Sequence, residues 1–308
     1  MTTPSPPFAD ADATARGLAD AGYLADRATV TVSWLAGMLG RPLLIEGPPG
    51  VGKTELAKAI ARATSRPLIR LQCYEGLDEA KALYEWEYGK QMLYIQLLRD
   101  AVRETTEGAQ DLSEAIERVA THETAFFHER FLVERPLLQA LRSEQPAVLL
   151  IDEVDRSDPE LEAMLLEVLS DFAVSVPELG TLTARSRPYV VLTSNGTREL
   201  TEALRRRCLH LALGFPDARR ELAIVRHQVP EAKDALAEQL VAFVQSVRDL
   251  ELRKTPSVAE TLDWARALVL MGADTLSPAL VRDTLGVLLK HDADASRVAA
   301  DAHTHIRR

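Results

Sequence analysis

"LIEGPPGVGKTELAKAIA", residues 44–61, decides the fold. A short apolar run ends in a glycine-rich turn, and a helical pattern follows at once. Strand, loop and helix in that order are the context that gives G-x-x-x-x-G-K-T its meaning. The glycines let backbone N–H groups close around phosphates, and the helix N-terminus adds its dipole. Gly47, Pro48, Pro49, Gly50, Val51, Gly52, Lys53, Thr54 and Glu55 form the expected nucleotide-binding segment. Lys53 is expected to reach the β- and γ-phosphates of ATP, and the Thr54 hydroxyl to ligate Mg2+.

Working outward, short apolar runs alternate with helical patterns between residues 41 and 213. That alternation predicts an α/β domain with a mainly parallel sheet. The expected strands are 42–47, 67–73, 147–153 and 188–195. The third, "AVLLIDE", ends in two carboxylates, which places both at the sheet edge where ligands bind in this class. Asp152 is expected to hold the Mg2+ shell and Glu153 to orient the attacking water. Asn195 ends the next strand, where an amide can meet the γ-phosphate or that water; Thr193 and Ser194 are set aside. After the third strand, Ser157 and Asp158 offer capping side chains and Pro159 a first-turn proline. Leu161, Met164, Leu165, Val168, Leu169 and Phe172 then recur at helical steps.

After "GFPD" only helical patterns remain, such as Leu236, Leu240, Phe243, Val244, Val247 and Leu250. The division expected is a disordered tail over 1–15, an α/β nucleotide-binding domain over 16–213, and a small helical lid over 214–308. In "ALYEWEYGKQMLYIQ" (82–96), Tyr84, Trp86 and Tyr88 alternate with Glu85 and Glu87. That period of two predicts a strand, either packed on the core or presented to a partner.

Composition bounds the alternatives. The formal charge is −10, with 46% hydrophobic and 27% charged residues, ordinary for a soluble globular protein. Acidity argues against nucleic acid as the main partner. No apolar run approaches the ~20 residues of a membrane span, so no integral membrane segment is expected. The first residues lack the basic and apolar regions of a secretory signal. Cys73 and Cys208 form neither a metal-ligand spacing nor a disulfide framework, which suits a cytoplasmic setting. His303 and His305 read as part of a frayed end.

The phosphate loop, together with "IRLQCYEGLDEAKALYEWEYGKQ", "IDEVDRSDPELEAMLLEVLSDF", "VPELG" and "VVLTSNGTRELTEALRRRC", resembles the MoxR family of AAA+ ATPases. It looks most like the branch associated with maturation of carbon monoxide dehydrogenase and other molybdenum hydroxylases. The resemblance runs from about Gly22 to Leu270. It implies ATP hydrolysis with Mg2+, a homo-oligomeric ring such as a hexamer, a partner carrying a von Willebrand factor A domain, and a client metalloenzyme. By the same match Arg207 is the arginine finger that reaches a neighbour's γ-phosphate, with Arg206 as second choice. The segments near 84–96 and 173–188 match insertions that the family places around its pore.

Many relatives carry a sensor arginine at the start of a lid helix. Val258 and Ala259 stand there instead, leaving Arg253, Lys254 and Arg266 as substitutes. Two other classes stay open: a DNA-directed motor or loader, for which Arg185 and Arg187 would form a basic hairpin tip, and a non-hydrolysing scaffold.

Overall fold

The computed structural model describes residues 7–97, 131–176 and 179–300. Strand β1 (Leu43–Glu46) leads into helix α3 (Lys53–Ala63), preceded by α1 (Ala11–Asp20) and α2 (Arg27–Leu39). There follow β2 (Leu68–Gln72), α4 (Glu79–Ala82), β3 (Tyr84–Trp86), α5 (Tyr88–Leu97), β4 (Leu132–Glu134) and α6 (Pro136–Arg142). Then come β5 (Val148–Asp152), α7 (Pro159–Asp171), β6 (Ala173–Val176), β7 (Gly180–Thr183), β8 (Tyr189–Ser194), α8 (Glu202–Arg207) and β9 (Leu209–Ala212). Five helices finish the described chain: α9 (Ala218–Gln228), α10 (Asp234–Arg248), α11 (Val258–Leu270), α12 (Pro278–Leu288) and α13 (Asp292–Ala300).

Five strands form one parallel sheet in the order β2-β5-β8-β1-β9. The inner strands β1, β5 and β8 are buried on both faces, and the strand period of two divides the side chains between them. Leu43, Ile45, Val148, Leu150 and Val191 meet Leu56 and Ile60 of α3 and Leu18 of α1. Leu44, Leu149, Ile151, Val190 and Leu192 meet Leu138 of α6, Leu165 of α7 and Leu204 of α8. The fifth strand, β9, lies in the apolar run after Cys208 and was not among the four expected. Pairing Leu43 with Leu209 and Glu46 with Ala212, it closes the far side of β1.

Three expectations need correction. The segment 1–15 is not a tail throughout: Asp10 caps α1 by accepting the Ala13 N–H at 2.6 Å, and Phe8 is buried against Leu18 and Leu56. Residues 1–6 lie outside the described residues. The aromatic alternation makes a strand only over Tyr84–Trp86, paired antiparallel with β4. Trp86 enters the core, whereas the Glu87 carbonyl accepts the N–H groups of Lys90 and Gln91, so Tyr88 already opens a helix. The hairpin over 173–188 is real as β6–β7, but Arg185 and Arg187 lie beyond β7 and not at its tip. Arg187 stacks over the Phe172 ring, and the Arg185 N–H bonds the Leu141 carbonyl. That leaves the DNA-directed reading without its basic tip.

At α7, Pro159 takes the first-turn position, as expected, but neither Ser157 nor Asp158 caps the helix by its side chain. Asp158 accepts the Gly76 N–H at 3.1 Å, and the Ser157 hydroxyl donates to the Val154 carbonyl at 2.7 Å. His303 and His305 lie outside the described residues.

The lid core is built on the predicted face of α10, where Leu236, Leu240, Phe243, Val244 and Val247 pack against Trp264 of α11 and Leu285 of α12. Beside it sits a buried ion pair. Arg248 donates from Nη1 to Glu221 Oε2 at 2.6 Å and from Nη2 to Oε1 at 2.7 Å. Gln245 and Thr261 fill the remaining lone pairs at 2.6 and 2.9 Å. The Arg248 guanidinium also lies 4.8 Å from the Phe215 ring centroid, tying α9, α10 and α11 to the link from the sheet. Removing one partner of such a pair strands a buried charge. Arg248→Met should cost about 3–5 kcal/mol of stability in urea denaturation; a loss below about 1 kcal/mol, the worth of an exposed pair, would show that the pair is not buried as described.

Candidate active site

The strand register brings the chemistry to one edge. Gln72 stands beside Asp152, Ile151 beside Leu192, and Glu46 beside Ser194. Gly47, Glu153 and Asn195 therefore leave neighbouring strands together, at the point where β1 lies between two strands that come later in the chain. Ligands bind at such crossing points in open α/β sheets.

The loop between β1 and α3 is held by close approach. A Cβ on Gly47 would stand 1.9 Å from the Leu213 carbonyl oxygen. Gly50 has φ +77°, and a Cβ there would meet Ser257 at 2.2 Å, so the loop touches the first turn of lid helix α11. No side chain caps α3, which leaves its first turn to an anion. The Lys53 ammonium is buried and donates to the carbonyls of Gly47 at 2.6 Å and Pro48 at 2.8 Å, and to Asn195 Oδ1 at 2.8 Å. Burial holds its pKa below the usual range, against the opposing pull of Asp155, Asp152 and Glu153.

Asp152 is buried, and both its oxygens are engaged. Oδ1 accepts the hydroxyls of Thr54 at 3.0 Å and Thr193 at 2.6 Å; Oδ2 accepts Arg70 Nε at 3.0 Å and Nη2 at 2.6 Å. The hard oxygens of Thr54 and Asp152 suit Mg2+, which would supply neutralisation of phosphate charge when bound. Glu153 adopts φ +56°, and this left-handed turn aims its carboxylate away from the line of β5. Its N–H donates to Thr193 Oγ1 at 2.9 Å, and its Oε2 accepts Gln72 Nε2 at 3.1 Å and Arg156 Nη1 at 3.0 Å. Thr193, set aside on sequence, thus orients both acids.

Asp155 does the same for Asn195. Its carboxylate accepts the N–H groups of Asn195 and Thr197 at 3.2 and 3.0 Å, and the Thr197 hydroxyl at 2.6 Å. Burial would raise its pKa, but the hydrogen bonds from Thr197 and Asn195 outweigh this and keep it low.

Lys53, Thr54, Asp152, Glu153 and Asn195 line a cleft of about 500 Å3, within the size range of small-molecule sites. Pro49 through Glu55 border it, with Asp152, Glu153, Thr193 and Asn195. Gly47 and Pro48 contribute through Lys53 rather than by lining it, and the Glu55 carboxylate turns to Arg62 at 2.6 Å. The far end was not foreseen. Tyr23 and Leu24 face Ile224 and His227 of α9 and Val258 and Leu262 of α11 across it. Gln228 bonds the Gly22 carbonyl at 2.7 Å, and Arg220 bonds Asp26 at 2.6 Å, which lashes the 22–26 segment to the lid. Such an apolar slot beyond a phosphate site suits a nucleobase.

Of the three substitute lid cations, Arg266 lines the cleft, paired at 3.1 Å with Asp263. Lys254 is turned to Glu260 at 2.8 Å, and the Arg253 N–H bonds Asp294. Arg207 does not line the cleft of its own chain.

No described helix is long and apolar enough to cross a membrane, and the described residues hold no cluster of three or more His, Cys, Asp or Glu side chains fit for a metal. Gas vesicle ATPase GvpN of Haloferax mediterranei is 27% identical over 287 residues, covering 87% of this chain and 71% of that protein. GvpN1 of Halobacterium salinarum is 29% identical over 234 residues, 68% of this chain and 57% of that protein. Among solved structures, a mutant of Thermotoga maritima RuvB aligns over 94% of this chain and 73% of its own, at 18% identity and a TM-score of 0.45. The family model for the AAA domain of the dynein-related subfamily matches residues 42–208. That span runs from the residue before β1 to the residue after α8, more than half of the chain. The chain belongs to this AAA family, and the cleft at its sheet edge is that of an ATPase working with ATP and Mg2+.

Proposed function

We propose that the protein acts as a homo-oligomeric ring, a hexamer, that spends ATP on maturing a client metalloenzyme by remodelling it or admitting its metal cofactor. A carbon monoxide dehydrogenase-like molybdenum hydroxylase is the client class that the sequence resemblance favours. A protein with a von Willebrand factor A domain is the proposed adaptor, and the cytoplasm the proposed setting. The two GvpN relatives are themselves named as ATPases, which supports the ATP-driven part of this reading.

The observation that carries the oligomer is the state of the three arginines on α8. Arg205 pairs with Glu46 at 3.1 Å, and Arg206 pairs with Glu202 one helical turn away. Arg207 is exposed and has no side-chain partner among the described residues, although its helix is firmly held. Arg41 reaches across from the start of β1 and donates to the carbonyls of Arg207 at 3.1 Å and Cys208 at 3.2 Å. An anchored helix end that presents one unpaired guanidinium outside its own cleft suits delivery to a neighbour's γ-phosphate. A guanidinium supplied in trans stabilises charge on the transferring phosphoryl group. Asp152 and Thr54 would hold Mg2+, Glu153 would orient the attacking water, and Asn195 would sense the γ-phosphate.

Two variants separate binding from turnover. Lys53→Ala should weaken ATP binding by about 10- to 100-fold, as expected for losing a charge-assisted contact, read with a fluorescent nucleotide. Arg207→Ala should keep that affinity and lose about 10^3-fold or more in turnover. Mixing the two inactive variants should restore part of the rate, because a Lys53→Ala copy brings an intact Arg207 to an intact cleft. Wild-type turnover in Arg207→Ala would remove the finger assignment. A pull-down with Glu153→Gln, held in its ATP state, should recover a metalloenzyme subunit or a von Willebrand A-domain protein. Recovery of nuclease-sensitive DNA instead would move the protein to the motor class.

A further inference from the structure

Arg70 has no part in the reading above, yet it sits on the carboxylate that the metal requires. It projects from β2, and both Nε and Nη2 donate to Asp152 Oδ2, at 3.0 and 2.6 Å. With the Thr54 and Thr193 hydroxyls on Oδ1, the carboxylate has no free oxygen. The same Nη2 donates to Gln72 Oε1, two residues on and on the same face of the strand, and Gln72 Nε2 donates to Glu153 Oε2 at 3.1 Å. One side-chain chain therefore runs from Asp152 through Arg70 and Gln72 to Glu153. Three cations surround the three acids of this edge: Arg70 on Asp152, Arg156 on Glu153, and Lys53, which lies within the field of Asp155, Asp152 and Glu153.

We propose that Arg70 is a placeholder cation, which neutralises Asp152 until metal–nucleotide arrives and must withdraw before Asp152 can serve a metal shell. The proposal rests on the reading of the cleft as an ATP–Mg2+ site. Three features make the arginine suitable. The Asp152 side chain is 2% exposed, so its charge needs a partner at all times. The Arg70 side chain is 49% exposed, so it can swing into water without leaving a buried charge of its own. Two cations sharing one carboxylate repel, so Arg70 and a divalent ion compete for Asp152. Withdrawal also removes the donor that orients Gln72, which loosens its hold on Glu153. Arg70 is a positioning residue, and it sets the metal concentration at which the two acids become available together.

The test is direct metal binding, independent of turnover. Mn2+ is titrated into the full-length protein saturated with ADP, and free Mn2+ is read by electron paramagnetic resonance. Arg70→Gln should bind Mn2+ about 3- to 5-fold more tightly than wild type, the scale of one relieved charge contact. Arg70→Lys, which keeps a cation beside Asp152, should return the affinity to within about twofold of wild type. If Arg70 instead supports the metal by orienting Asp152, Arg70→Gln will bind more weakly, and the proposal is overturned. Equal affinity in all three proteins also overturns it. Wild type that binds ADP without binding Mn2+ would point to a failure of the metal reading itself rather than of the arginine's role.

Discussion

One buried carboxylate, that of Asp152, organises this molecule. Taking the charge of Asp152 out of water costs far more than any single hydrogen bond returns, so it persists only with every lone pair answered. The answers come from three elements other than its own: Thr54 from α3, Thr193 from β8 and Arg70 from β2. Arg70 and Thr193 reach it because the parallel register sets Gln72 beside Asp152 and Ile151 beside Leu192, and Thr54 reaches it from the first turn of α3. A slip of one residue would turn these side chains to the opposite face. The packing of the sheet core and the geometry of the site are one requirement seen from two ends.

The cleft has a second wall that the sheet does not supply. Ser257 comes against the phosphate loop because Gly50 carries no side chain to keep it away, and Val258 and Leu262 of the same helix region line the cleft. Gln228 and Arg220 hold the segment before β1 against that same lid. The lid is braced by the Glu221–Arg248 pair, which contacts the Phe215 ring in the link from β9. The link from β9 therefore joins the nucleotide end of the cleft to the packing of the C-terminal helices.

On the opposite side of β1, strand β9 follows directly from the helix that carries Arg207. Arg41 satisfies carbonyls at the end of that helix, where unpaired acceptors would otherwise fray it. The neighbouring arginines are spent on Glu46 and Glu202. Under the proposed function, this leaves an anchored helix end on which Arg207 has no side-chain partner among the described residues.

The sequence by itself determined what local pattern can encode. The loop 47–54, the acids ending β5, the amide after β8 and the apolar faces of α7 and α10 all follow from short-range spacing, and all appear where expected. Residues whose role depends on a distant partner left no such trace. Arg70 and Gln72 read as the polar positions of a strand, and Thr193 as an ordinary strand end, until the register set all three beside the acids. Phe8 lies among prolines and acids with no period to announce its burial, so 7–15 read as tail. Tyr88 continued the aromatic alternation, but the Glu87 carbonyl had already turned to helical bonding. The far end of the cleft joins Tyr23 to His227 and Val258, segments about 200 residues apart, and only tertiary structure decided it. The physical reason is the same throughout: periodicity records which face of an element is buried, whereas a site is made by whichever side chains the packing of those faces brings within hydrogen-bond reach.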